Sequence, residues 1–100
     1  MSDRDKDGRT TPGGHRYVPA PAEDSLEGFP GTYRSKAKTR FPGGKRRRWK
    51  DDAGFIYEWD YLHGRVEKWS PRGDRHLGDF DLKTGRQISG PDPTKRPVEV

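Results

Sequence analysis

Aromatic rings stand at every second position of FIYEWDY, at 55, 57, 59 and 61, with Glu58 and Asp60 between them. A period of two is the signature of a strand whose two faces differ, one buried and one polar. Nothing else in the chain constrains the fold as strongly. Only 26% of the 100 residues are hydrophobic and 37% are charged, so Leu, Ile and Val are too few to build a core. Aromatic side chains, each able to bury roughly 150–250 Å², must supply much of it. Trp49, Trp59, Trp69, Phe55, Tyr57, Tyr61 and Phe80 all lie in the second half or at its edge. The core belongs there, and the length suits one small domain.

Turn signals divide the second half into short strands. Asp51-Asp52-Ala53-Gly54 precedes a strand over 55–61, and His63-Gly64 forms a hairpin tip before a return strand over 65–69. Ser70 to Asp74 and Asp81 to Gly85 are further turns, which bound strands at 75–80 and 86–89. The pattern predicts an antiparallel meander of about four strands within 54–90. Upstream, residues 1–12 have no apolar residue after Met1 and read as a flexible tail or linker. PAPAED predicts one helical turn over 22–26, with prolines just ahead of it. Residues 31–50 read as mostly loop. The expected fold class is α+β, mostly β: a small antiparallel sheet with a short N-terminal helix and a long basic loop, all in a domain over 13–100.

Charge is unevenly spread. Residues 1–50 hold 13 Lys/Arg against 6 Asp/Glu, whereas 51–100 hold 8 against 10. The basic arm 31–50 carries nine cations and no acid. A net charge of +5 points to a polyanionic partner, most simply nucleic acid. On the arm, Arg40, Lys45, Arg46, Arg47, Arg48 and Lys50 are expected to pair with phosphates. Trp49 and Tyr33 are candidates to stack on bases, although Trp49 is equally a core candidate. By pattern alone KRRRW reads equally as a localisation signal. With no Cys there is no disulfide, thiolate metal site or Cys nucleophile. Apolar runs are too short to cross a bilayer, and no signal-peptide pattern follows Met1, so export would need a carrier.

Strand parity gathers three chemically active side chains. With His63-Gly64 as a two-residue turn, Asp60 lies opposite Glu67. With a four-residue loop over 61–64, residue 60 pairs with 65 and residue 58 with 67. In both registers Glu58, Asp60 and Glu67 share one face, and His63 sits at the tip above it. Crowded carboxylates raise a pKa or recruit a cation. A carboxylate and an imidazole close together meet the needs of proton transfer near neutral pH. RNA cleavage by 2′-hydroxyl attack needs only a base, an acid and a cation for the phosphate, with no metal or cofactor. The plainer alternative is a solvated face with a polar turn. A metal site of Asp60, His63 and His76 matches no firm ligand spacing.

YEWD-x-x-HG-x-x-E followed by DRHLGDFDLKTGRQISGPDP resembles the cytotoxic ribonuclease domain of the ribosome-inactivating colicins and of cloacin. GGKRRRW and HRYVPAP extend the likeness over about residues 13–96. The resemblance implies a strongly twisted antiparallel sheet with a short N-terminal helix. It implies a secreted or delivered toxin that acts in the target bacterium's cytoplasm. There it cuts small-subunit ribosomal RNA once, in the decoding site, without a metal. Its partners would be the ribosome and a small acidic immunity protein, the domain being otherwise a monomer without a membrane anchor. The implied catalytic residues are Asp60, His63, Glu67 and a cation after GPDP. Glu67 would be base and His63 acid, or the reverse, with Asp60 orienting His63 and holding it protonated. Ungapped alignment selects Lys95 as the cation, while the forked guanidinium of Arg96 suits phosphate better. Tyr57, Glu58 and His76 are expected to support the site. The alternative is a non-catalytic RNA- or ribosome-binding module.

Overall fold

The computed structural model describes residues 17–100. The tail expected at 1–12, and the first residues of the expected domain, lie outside the described residues. Eight strands follow in order: β1 (Tyr33–Ser35), β2 (Arg40–Phe41), β3 (Gly44–Lys45), β4 (Arg48–Lys50), β5 (Ile56–Asp60), β6 (Arg65–Trp69), β7 (His76–Phe80) and β8 (Gln87–Ser89). Six of them form one antiparallel sheet, ordered β1-β4-β5-β6-β7-β8, while β2 and β3 form a separate hairpin. The four expected strands are β5 to β8, each within one residue of its expected ends.

The sheet is amphipathic across its two faces. Trp49, Tyr57, Trp59 and Val66 are buried on one side, where they pack with Leu26, Phe29 and Phe80. Arg48, Glu58, Asp60, Glu67 and His76 are also buried, and the register sets the first four on the opposite side. The alternation in FIYEWDY is therefore the division between an aromatic core and a polar site.

Two expectations need correction. Residues 31–50 are not mostly loop, because they supply β1 to β4, and β4 is a central core strand. The expected helical turn at 22–26 does not form, and no helix occurs among the described residues. The reason lies in where the backbone carbonyls go. The Nε1 of Trp59 donates to the Val18 carbonyl at 2.9 Å, and that of Trp49 to the Glu23 carbonyl at 3.2 Å. Arg47 donates to the Pro21 carbonyl at 2.8 Å. These acceptors serve the sheet's side chains, so the segment lies over the aromatic face as an extended strap. One short turn, with nucleation unfavourable, does not compete with that.

A bulge decides what faces the site. Lys68 pairs with Gly78, but Trp69 pairs with His76, so Leu77 is the extra residue. Regular pairing would send His76 to the aromatic side. The bulge turns it to the polar side, beside Trp69, and Gly78 absorbs the distortion at φ +135°.

Candidate active site

The tip of the β5–β6 hairpin builds one half of the site. Asp60 pairs with Arg65 and Glu58 with Glu67, which is the register of the four-residue loop over 61–64. Gly64 closes the loop at φ +68°, a conformation other residues resist. Asp60 Oδ1 accepts the backbone N–H of Leu62 at 2.9 Å and of His63 at 3.2 Å. Its Oδ2 meets His63 Nδ1 at 2.8 Å. Burial pushes the Asp60 carboxyl up, but the bonds from the His63 ring and from both N–H groups outweigh it. The group is held below the ordinary carboxylate range. With Nδ1 occupied, His63 presents Nε2 outward from a side chain that is 60% exposed.

Glu67, buried on β6, builds the other half from remote pieces. Its Oε2 receives Arg46 at 3.2 Å, and its Oε1 lies 3.6 Å from Lys95 and 3.7 Å from His76 Nε2. The His76 ring is fixed from behind: the Asp92 N–H donates to Nδ1 at 3.0 Å. Nε2 therefore carries the ring hydrogen and faces Glu67 and Asp79, the latter at 3.3 Å. The tail holding Lys95 is pinned by the Val98 N–H on the Gly73 carbonyl, and by Lys38 on the Val100 carbonyl. Glu67, His76 and Asp79 bring three possible ligand atoms within 4.8 Å of one another. Arg46 and Lys95 already supply positive charge to Glu67, which weighs against a cation there.

Asp60 and Glu67 share a face, as either expected register requires. They sit on a diagonal of the strand pair, a relation that places Cα atoms about 7–8 Å apart. On the Glu67 side a cavity of about 160 Å³ is lined by Thr39, Arg46, Glu58, Glu67, Trp69, Lys95, Arg96 and Val98. Each crowded carboxylate has a partner: the His63 ring for Asp60, Arg46 and Lys95 for Glu67, and Arg48 for Glu58. Glu58 Oε2 takes Arg48 at 2.6 and 3.0 Å and Thr39 Oγ1 at 2.6 Å, so this residue is a brace. Trp69 Nε1 is buried beside the cavity and has no hydrogen-bond partner among the described residues.

Several expected residues land elsewhere. Tyr57 lies on the aromatic face, opposite the polar one, with its hydroxyl donating to Asp51 at 2.8 Å. Burial, then the Asp51 carboxylate, pushes its pKa upward. Arg48 and Trp49 are fully buried, so neither side chain is open to a polyanion. The cause is β4 parity: Arg48 faces Glu58, and Trp49 pairs with Tyr57 in the core. Arg40 and Lys45 are exposed on the β2–β3 hairpin, and Lys50 is half-buried at the end of β4. Of the two tail cations, Lys95 makes the ion pair with Glu67, while Arg96 lines the same cavity. Sequence reasoning missed Thr39, Trp69 and Asp79 as site neighbours, and gave Arg46 no contact to Glu67.

Comparison with known proteins places the chain in a family. A family model described as Cytotoxic matches residues 18–99. The chain is 45% identical to colicin E3 of Escherichia coli over 87 residues, which cover 82% of this chain and 15% of that protein. It is 44% identical to cloacin of Escherichia coli over 85 residues, with the same coverages of 82% and 15%. The chain thus spans about 15% of the length of the curated relatives it matches.

Proposed function

Because the chain belongs to the Cytotoxic family, we propose that it is an endoribonuclease toxin that cleaves small-subunit ribosomal RNA in the decoding site and so stops translation. One observation supports this most: Glu67 and the Asp60–His63 pair occupy one sheet face, with Arg46 on the cavities beside both. Glu67 takes the proton from the ribose 2′-hydroxyl, and that oxygen attacks the adjacent phosphorus. The bond to the 5′-oxygen breaks, and His63 Nε2 delivers a proton to that oxygen. The products are a 2′,3′-cyclic phosphate and a free 5′-hydroxyl. In-line displacement needs base and acid on opposite sides of phosphorus; Glu67 lies on the diagonal from Asp60, and Asp60 holds the His63 ring at the tip beyond it. Arg46, Lys95 and Arg96 balance the charge that builds on the phosphate. These cations do the work a metal would otherwise do. Asp60 orients the His63 ring, and His76 holds Glu67 in place.

Exposed cations outside the site, Arg34, Lys36, Arg40 and Lys45, give a salt-sensitive grip on RNA. The domain reaches its target as part of a larger toxin and acts in the target bacterium's cytoplasm. A small acidic immunity protein would capture it at a rate that falls as salt rises. The test is incubation with intact ribosomes in EDTA. One discrete 3′ fragment of small-subunit RNA is expected. Ribosome binding without any fragment, at high protein concentration, would leave only an RNA-binding module.

A further inference from the structure

A second cavity, of about 280 Å³, opens beside the hairpin tip. Tyr17, Phe41, Pro42, Tyr61 and Leu62 wall it, and Arg46 and Asp60 stand at its polar end. Phe41 and Tyr61 stack with centroids 4.3 Å apart and planes 11° apart. Tyr17 leans on both rings, at 5.3 and 6.3 Å. The acid–base chemistry uses none of these rings. Leu62, 55% exposed at the lip, is the most exposed large hydrophobic among the described residues. A concave apolar wall with a few polar groups at one end is the ordinary form of a ligand site.

The occupant follows from position. Arg46 lines both this cavity and the Glu67 cavity, so a phosphate held at Arg46 has its nucleosides at the two mouths. Every base has a flat π-face, and stacking on aromatic rings beside an arginine suits any of them. We propose that this cleft is a nucleobase subsite, which seats the base of the nucleotide on the 3′ side of the cut. The side is set by Asp60, which lines the cleft and holds His63, the group that protonates the leaving 5′-oxygen. The subsite rests on the ribonuclease reading and gives it a positioning element: a base held here fixes the leaving oxygen against His63.

The test uses small subunits reassembled on RNA with one abasic nucleotide, placed 3′ or 5′ of the cut. Wild-type chain should lose about tenfold in kcat/KM with the 3′ abasic RNA, the usual scale of one base–aromatic stack, and little with the 5′ one. Tyr61→Leu should lose about as much on intact RNA and nothing further on the 3′ abasic RNA. Cutting of the 3′ abasic RNA within twofold of intact RNA would overturn the subsite, as would losses from variant and abasic RNA that multiply. The abasic comparison needs no variant, so it stands even where Tyr61→Leu fails to fold. Wild-type chain that cuts no RNA overturns the ribonuclease reading and this subsite with it. Equal cutting of all three RNAs overturns the subsite alone.

Discussion

Asp60 and His63 are three residues apart and meet through a single turn, whereas Glu67 meets Arg46, His76 and Lys95 from three other segments of the chain. The tip is exposed at its imidazole, and its geometry needs little beyond a four-residue loop. The Glu67 half is buried, and it exists only when a bulge, an arm and a tail have all docked. One half of the chemistry is thus local and the other is a product of the whole fold. They should fail differently when broken.

The largest effects test that difference at the reacting groups. His63→Ala and Glu67→Gln should each lower ribosomal RNA cleavage by about 10²–10⁴-fold, the range of a lost acid or base. Ribosome binding should persist in both. His63→Ala should lower the melting temperature only slightly, because the ring is mostly exposed and loses just its bond to Asp60. Normal cutting by either variant would end its assigned role. Stability should move next, at the brace beneath the buried half. Arg48→Met leaves Glu58 charged, buried and without its main partner, a loss on the order of 3–5 kcal/mol. Arg46→Met removes a partly exposed partner and should cost about 1 kcal/mol or less, while lowering cleavage. Urea unfolding of the two variants, beside their cleavage rates, separates brace from site. Equal midpoints would show that Arg48 is no brace.

The same contrast explains what could be read beforehand. The hairpin was legible because its signals are local: alternating rings, a turn glycine, and carboxylates on one parity. The arm was not, because KRRRW hides a period of two. Arg46 and Arg48 reach the polar face, while Arg47 and Trp49 face the other way. Four like cations in a row carry no alternation that the eye can use. His76 and Asp79 could not be put on one face by spacing, since residues three apart on a regular strand point to opposite sides. Only the bulge at Lys68/Trp69 brings them together. The strap at 17–32 misled for a similar reason: within the expected turn, the Glu23 carbonyl goes to the distant Trp49 indole.

A smaller effect separates the two tail cations. Lys95 makes the ion pair with the buried carboxylate, so Lys95→Ala should reduce kcat/KM by about tenfold, equivalent to about 1.4 kcal/mol. Arg96→Ala should reduce it less and act more through KM. A larger loss in Arg96→Ala would mean that the guanidinium, not the ammonium, meets the phosphate. The role drawn from its forked geometry would then stand, and the Lys95–Glu67 contact would only position the tail.

The smallest effect concerns the local half alone. Asp60 is held below the ordinary carboxylate range in the folded chain, by bonds that vanish on unfolding. A depressed carboxyl adds stability above its unfolded pKa of about 3.9, and that stability is lost as pH falls through the folded value. Asp60→Asn should therefore melt below wild type at pH 7, and the gap should close as pH drops below about 4. The comparison must be a difference between the two proteins. Asp81 and Asp92 are likewise held low, the first chiefly by the Thr84 N–H and the second by the Thr94 hydroxyl. Both bend the curve of each protein at similar pH, and both cancel in the subtraction. A gap that stays constant to pH 2 would mean that shape, rather than the carboxylate's charge, secures the tip.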